Sequence, residues 1–556
     1  MLKIKQCITL YLSVMCLPFF AQWNPNPTFN TAIVIQPKSQ KNIHCISDTK
    51  KGAICVWDDN RNSLVSSTDI YAQRIKSNGI EKWATNGIAI CTASGIQKSN
   101  NITSGGSDGS SIITWEDGRN GNYDIYAQKI DSSGNLLWGI NGVIVCNALN
   151  NQKNPKIVSD ASGGAIIVWE DSANFYFDIY AQRISSAGIP QWTTNGVSIC
   201  NSPNQQQNPT LDLDGLGGAI ITWQDKRSNV DYDIYAQKIN ANGITNWALN
   251  GVVICNAVNT QNNPRIEPDG LNGAIIAWVD KRNAIHNDIY TQRINASGLV
   301  QWVTNGVATC TALNNQSAID LKYLGTAGVL CTWKDDRISS TQIYTQLIDL
   351  NGVAQLTSNG IKLSNGLKAI NPNTVKDAMG GAIIAWQDSS ASGWDIKSQK
   401  LNASGVSQWP SGGALVSNAV YDQVATTLIG DGTGGAIYIW EDERNTTNTE
   451  IYAHHLFFTG TEIVGLNEQV SKQPIGMTYP NPASEWIAFQ FSDDQISQSC
   501  KLDLIDATGH SIYKEIVLTN ENKLNLLELK LENGLYIYTV NFENGTQLNG
   551  KFIIAN

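Results

Sequence analysis

The sequence predicts an all-β chain: an eight-bladed β-propeller whose N-terminal strand closes the last blade, followed by a small Ig-like β-sandwich. Three observations carry this expectation. The motif Trp-x-Asp recurs eight times, in the pairs Trp57/Asp59, Trp115/Asp117, Trp169/Asp171, Trp223/Asp225, Trp278/Asp280, Trp333/Asp335, Trp386/Asp388 and Trp440/Asp442. Successive tryptophans are 58, 54, 54, 55, 55, 53 and 54 residues apart, which is the drift of a structural repeat and not of chance. Each copy divides into four short stretches separated by turn residues, and the last copy lacks its fourth stretch.

The chain opens with two lysines and an apolar run that ends at Ala21. That is the layout of a secretory signal peptide over residues 1–21, with cleavage expected after Ala21. No later run reaches the roughly 18 apolar residues of a membrane span, so the mature chain is expected to carry no transmembrane helix. Charged residues make up 15% of the 556 and the net charge is −10, which argues against a nucleic-acid partner. Cys7 and Cys16 leave with the signal, so nine of the eleven cysteines remain.

Residues 22–460 carry the repeat. In the fourth copy "PTLDLDG", "GGAIITWQD", "DYDIYAQKI" and "NWALNGVVIC" read as successive strands, parted by Gly- and Asn-rich turns. The second strand is apolar on both faces, as a sheet stacked between similar sheets requires. Four-stranded sheets stacked radially are propeller blades. A ring must join its ends. The missing fourth strand of the last copy is matched by "QWNPNPTFNTAIVI" from Gln22, with Trp23 in the slot held by Trp83, Trp138, Trp192, Trp247, Trp302 and Trp409. The mature N-terminus is therefore expected to complete the eighth blade.

Most polar signals in the repeat read as framework. Cys91, Cys146, Cys200, Cys255 and Cys310 each stand eight residues after the fourth-strand Trp, where other copies place Thr31, Ser364 and Ser417. Slots one blade apart are too distant for a disulfide, so buried free thiols are expected there. Cys45, Cys55 and Cys331 fall elsewhere and suggest no pairing. Six of the eight Trp-x-Asp aspartates are followed two residues later by Arg, and seven copies place an acid before the third strand. A catalytic set is needed once, so these residues read as a hairpin clamp in every blade. The alternative is a ring of carboxylates for cations or glycans. Seven further acids, Asp48, Asp108, Asp160, Asp214, Asp269, Asp377 and Asp431, sit at the turn after the first strand. Asp-Gly turn chemistry explains them; Ca²⁺ is the alternative cofactor reading, without a dedicated loop spacing to support it. No catalytic residue and no metal site stands out.

Positions that break the pattern are the better binding candidates. Copy three has Phe175, Tyr176 and Phe177 in place of the Arg-containing turn, and copy seven has Trp394 there. Aromatic faces stack on sugars or anchor proteins.

After a connector at 461–476, residues 477–556 contain Tyr479-Pro480-Asn481-Pro482-Ala483, then Asp506-Ala507-Thr508-Gly509, Gly534-Leu535-Tyr536 and a final strand with Lys551-Phe552-Ile553-Ile554. Alternating strands and Gly turns make a small antiparallel sandwich. This segment resembles the type A C-terminal sorting domain of type IX secretion cargo. The resemblance implies export from a Gram-negative bacterium through the type IX machinery, removal of the tail by a sortase-like protease, and release or attachment at the outer-membrane surface. For the propeller there is a general likeness to repeats of other secreted bacterial surface proteins, which assigns no activity. The expected function is that of a secreted or cell-surface binding or adhesion protein, its ligand a glycan or a protein. The alternatives are a polysaccharide-acting enzyme using channel-mouth acids such as Asp212 or Glu267, and a purely structural surface component.

Overall fold

The computed structural model describes residues 23–63, 67–172, 176–460, 477–479, 483, 486–490, 500–506, 511–517, 523–529, 531–542 and 547–554. The signal segment, the connector, Phe175, Pro480, Asn481, Pro482 and Gly509 lie outside them. The chain divides into two compact units, Met1–Val464 and Gly465–Asn556.

Eight four-stranded antiparallel sheets fill the described part of the first unit. Blade 4 is typical: Gln206–Leu213, Ala219–Asp225, Asp233–Ile239 and Val252–Cys255. Blade 8 is built from Gln423–Gly430, Ala436–Asp442 and Glu450–Leu456, with the N-terminal Thr31–Val34 hydrogen-bonded as its fourth strand. The first strand of each blade touches the first strand of the next, and blade 8 touches blade 1 in the same way, so the ring is closed.

The fourth strand is shorter than the sequence predicts. Only Val252–Cys255 pairs in register, because Asn250 and Gly251 both adopt left-handed backbone and turn the chain before it. The first strand carries a bulge. Its third residue is left-handed in every blade, most often Asn (Asn154, Asn208, Asn263, Asn371), and pairing resumes two residues later. A proline follows the bulge in four blades, at Pro155, Pro209, Pro264 and Pro372. This is the inner edge strand of its sheet, where a missing N–H breaks no ladder.

Blades are joined by a recurring staple. Trp23 lies on Gly79 of blade 1 and donates its indole N–H to Ser77 O at 2.8 Å. Trp409 lies on Gly460 in the same way and bonds Phe458 O at 3.1 Å. Gly79 has φ +82°, and a Cβ there would stand 3.0 Å from the indole, so the turn requires glycine for both conformation and space. A second link is a carboxylate or amide on one blade that accepts the N–H of the next blade's bulge. Glu116 takes Asn154 at 2.8 Å, Glu170 takes Asn208 at 2.8 Å, and Glu441 takes Asn42 across the closing seam at 2.6 Å.

The closing strand corrects one sequence assignment. Val34, not Thr31, occupies the slot of the repeat cysteines: Val34 faces Ile451 as Cys91 faces Ile70, while Thr31 takes the place of Ile88. The cause is a longer approach, in which Phe29 and Asn30 both bond back to Asn26 O before the strand begins.

The second unit holds a three-stranded sheet (Met477–Tyr479, Trp486–Gln490, Lys523–Asn525) and a four-stranded sheet (Ser511–Val517, Cys500–Asp506, Gly534–Phe542, Gln547–Ile554). Both are antiparallel, with one isolated parallel bridge from Ala483 to Ile554. Ala483, Ile487, Leu504, Tyr538, Phe552 and Ile554 meet in its core.

Candidate functional site

The repeated polar residues are occupied within their own blades. In blade 4 the Trp223 indole N–H reaches Asp225 Oδ2 at 2.8 Å. Arg227 binds the same carboxylate through its backbone N–H, Nε and terminal nitrogen, and its guanidinium lies 3.6 Å over the Tyr235 ring. The same set recurs at Asp59, Asp117, Asp280, Asp335 and Asp442.

Blade 3 keeps the aspartate of the clamp, Asp171, without an arginine two residues later. Ala173 stands at that position in the sequence, as Ser390 does in blade 7. The Trp169 indole N–H is 3.3 Å from Asp171 Oδ2, longer than the 2.8 Å of blade 4. In blade 4 the Arg fork holds both oxygens of the carboxylate that the indole also bonds. Asp171 is buried and faces Asp178 in register. Blade 7 also lacks the Arg. Lys397 takes its place 2.7 Å from Asp388, and the Trp386 indole bond is again 3.3 Å.

The repeat cysteines lie behind the clamp: Arg119 reaches Cys91 Sγ at 3.2 Å. Burial pushes the thiols of Cys91, Cys146, Cys200, Cys255 and Cys310 up to about 12, so they are inert at neutral pH.

The turn acids are also committed. Asp214 Oδ1 accepts the N–H groups of Leu216 and Gly218, and its other oxygen faces Lys238. Asp160 and Asp269 pair with Arg183 and Arg293, and in blade 8 the cation is replaced by His455, 2.9 Å from Asp431. Among the described residues no group of three or more His, Cys, Asp or Glu is placed to hold a metal ion.

Two places escape the repeat. The first is the centre of the ring. The fifth and seventh residues of each first strand face it, because the sixth is packed between blades (Ile157, Ile266, Leu321 and Leu428 are all buried). Blades 2, 7 and 8 present only Asn, Thr or aliphatic residues there, while blade 1 adds His44 and blade 3 Lys156. Blades 4 to 6 present Asp212, Arg265, Glu267, Asp320 and Lys322. Lys322 pairs with Glu267 Oε1, and Glu267 Oε2 also accepts the Tyr323 N–H at 3.1 Å. Burial opposes the Lys322 charge, but Glu267 and Asp320 outweigh it and hold the ammonium protonated. Asp212 accepts the adjacent Leu213 N–H at 2.7 Å. Burial, then the Glu267 carboxylate, pushes it up to about 6.

The second place is the rim formed by the hairpins between second and third strands. A cavity of about 440 Å³ opens there, lined among others by Ser39, Ser392, Tyr421, Asp422, Glu443 and Asn445. Tyr421 is 51% exposed and has φ +63°. It stands two residues before the strand-opening Gln423, a position that Gly95, Asn150, Asn204, Asn259 and Asn314 also hold left-handed. Lys38 and Tyr421 are the two departures from Asn or Gly among the left-handed copies; Tyr421 lines this cavity, and Lys38 precedes Ser39, which also lines it. Trp394 adjoins it: its backbone N–H donates to Asp422 Oδ1 at 3.0 Å, and its ring is half-buried beneath Lys368 Nζ at 5.7 Å.

Trp394 is thus the sequence candidate whose backbone is bonded to a residue of the cavity wall, Asp422. Tyr176 is exposed and Phe177 half-buried, its ring 6.0 Å from Lys153 Nζ. They belong to blade 3, half a ring away from blade 7, so the two aromatic groups do not form one site. Tyr421 escapes a search for irregular hairpins, since it lies in the loop between blades. The signal that would have found it is a tyrosine in a slot kept for Asn or Gly.

In the second unit Gly534 pairs with Ile554 at one end of the four-stranded sheet, and Lys551 is exposed opposite Ile537. Tyr536 donates its hydroxyl to Glu532 O at 2.9 Å and packs on Phe552 with ring centroids 5.7 Å apart.

No curated protein matches the sequence. Solved structures resemble it in fold. The GH93 α-L-arabinofuranosidase of Fusarium graminearum, in complex with arabinobiose, is 11% identical over 55% of this chain and 92% of that one, with a TM-score of 0.32. A protein of unknown function from Dyadobacter fermentans is 9% identical over 77% and 97%, with a TM-score of 0.36. A PL25 ulvan lyase is 10% identical over 63% and 90%, with a TM-score of 0.38. Likeness this distant carries no activity across. No described helix is long and apolar enough to cross a membrane. Residues 477–555 match the family of the secretion system C-terminal sorting domain, so this segment is a type IX sorting domain that marks the chain for secretion or attachment at the cell surface.

Proposed function

We propose that the chain is an exported binding protein whose propeller takes a glycan in the cavity at the rim of blades 7 and 8. Tyr421 carries this reading. A tyrosine held left-handed costs about 1 kcal/mol or more, and its ring, 51% exposed, gains little packing in return. Strain of this kind is kept where it positions a group for a task. An exposed aromatic face beside Asp422, Glu443, Asn445 and Ser392 suits a sugar, which offers a C–H face for stacking and hydroxyls for hydrogen bonds. Trp394 holds Asp422 of the same cavity through its backbone N–H.

The test uses the mature chain on a glycan array, followed by calorimetry on the best hit. Tyr421→Asn returns the repeat's own residue, so the variant is expected to be at least as stable as the parent. Its affinity is expected to fall ten- to a hundredfold, or about 1.4–2.8 kcal/mol. Undiminished binding by that variant would refute the site.

One observation favours a second reading, a polysaccharide-acting enzyme. Asp212 is an acid with a proton held up to about 6 beside the Glu267–Lys322 salt bridge, and an acid raised toward neutrality is one that acid–base catalysis uses. Because the shift is upward, Asp212 is protonated below about pH 6 and loses its proton above it. Turnover on any polysaccharide is then expected to decline as pH rises through 6 and to vanish in Asp212→Asn. Turnover that persists in that variant would remove Asp212 from the chemistry.

A further inference from the structure

Blade 1 departs from its neighbours at one buried pair. The sixth residue of its first strand is Cys45, and the residue directly opposite on its second strand is Cys55. Equivalent pairs in the other blades are Ile102 with Ile113, Ile157 with Ile167, Leu211 with Ile221, Ile266 with Ile276, Leu321 with Cys331, Thr374 with Ile384 and Leu428 with Tyr438. Only blade 1 replaces both members with cysteine. Two large side chains are exchanged for two small ones at facing positions in a seam that is otherwise closely filled.

We propose that Cys45 and Cys55 form a cross-strand disulfide in the exported protein. Directly opposed residues of an antiparallel pair have Cα atoms about 4.5–5.5 Å apart, inside the roughly 4.4–6.8 Å range that a disulfide spans. Both side chains lie on one face, where Cys55 is buried in the core shared by blades 8 and 1 and Cys45 packs against it. The Cys45 thiol is already within hydrogen-bonding reach of Cys55. The five repeat thiols are different: each sits behind its own hairpin, one per blade, with no sulfur opposite, and Cys331 faces Leu321.

The oxidant is a protein disulfide of the exported compartment. Its disulfide is attacked by one thiolate to give a mixed disulfide, and the second thiolate then displaces it. Cys45 and Cys55 together lose two protons and two electrons, one S–S bond forms, and the oxidant leaves as a dithiol. The ring buries this seam, so the exchange belongs to folding, before blade 8 closes on blade 1. The bond would tie together the first two strands of the blade that receives the closing strand.

The protein recovered from outside its own cells is denatured in iodoacetamide without reductant and digested with trypsin. Cleavage at Lys50 and Lys51 separates the two cysteines into the peptides Asn42–Lys50 and Gly52–Arg61. The expected product is these two peptides joined, 2 H lighter than their sum, which separates on reduction. Recovery of both peptides singly alkylated, or of either joined to a different cysteine, would overturn the proposal. Peptides carrying Cys91, Cys146, Cys200, Cys255 and Cys310 are the internal control and are expected alkylated throughout.

Discussion

Deleting Met477–Asn556 is expected to leave a folded propeller that no longer reaches the cell exterior. The two units have separate cores: the tail's core is built from residues between Ala483 and Ile554 alone, and the eighth blade is completed by Thr31–Val34 and not by any tail strand. Truncation at 476 therefore removes no strand from the ring, and the circular dichroism spectrum and melting temperature of the purified fragment should match those of the propeller within the parent chain. The export address is lost with the tail. With residues 1–21 intact, the truncated chain should cross the inner membrane and stop in the periplasm, read by fractionation and immunoblotting. The reciprocal experiment is equally decisive. Residues 461–556 fused to a periplasmic reporter should carry it outside. A truncated chain found in the medium at the parent's level would mean that the tail is not the signal in use.

What was legible in the sequence follows from what repetition can reveal. Eightfold recurrence averages out local ambiguity, so blade number, strand order and the crossing of the N-terminus into blade 8 can all be read from spacing. The same averaging hides function. Asp225 and Arg227 look like a site in isolation and become a hairpin clamp only when seven relatives are set beside them. It also hides exceptions: Asp171 shares the motif of Asp225 without an arginine two residues later, and its indole bond is 3.3 Å against 2.8 Å. Register is less legible than order. Trp23 and the strand after it are joined by a longer approach than in other blades, and counting from Trp23 puts Thr31 where the hydrogen bonds put Val34. Position relative to a fixed residue fails when the intervening turn changes length. The rim cavity is formed by loops from three blades, and only the fold brings Ser39 to Tyr421 and Glu443. The facing of Cys45 and Cys55 likewise depends on the first-strand bulge. Without it the register would slip by one and turn the two side chains to opposite faces.

Removing the closing strand is expected to unfold the propeller as a whole and not merely to fray one end. Trp23, Ile33 and Val34 are buried at 6%, 1% and 0% exposure. At about 1.5–3 kcal/mol for each buried side chain, their loss amounts to roughly 5–9 kcal/mol. A folded domain's total stability is of the order of 5–15 kcal/mol, so most of the margin goes with fourteen residues or fewer. The loss is also badly placed. Glu450–Leu456 becomes an open edge next to exposed core, a template for pairing with other chains. Gly79 and Ser77 of blade 1 lose their staple at the same time. In an open array the terminal unit would melt and the rest would stand; in a ring both neighbours of the gap lose a partner. A chain starting at Gln36 should therefore be aggregated or show a melting transition lowered for all blades together. Trp23→Ala, at about 3–5 kcal/mol, should give a milder version of the same single transition. Hydrogen exchange distinguishes the cases. Protection is expected to fall in blade 1 as well as blade 8 when Trp23 is replaced. A loss confined to Glu450–Leu456 would mean that the seam between blades 8 and 1 is held by contacts such as Glu441 with Asn42 and not by the strand that closes it.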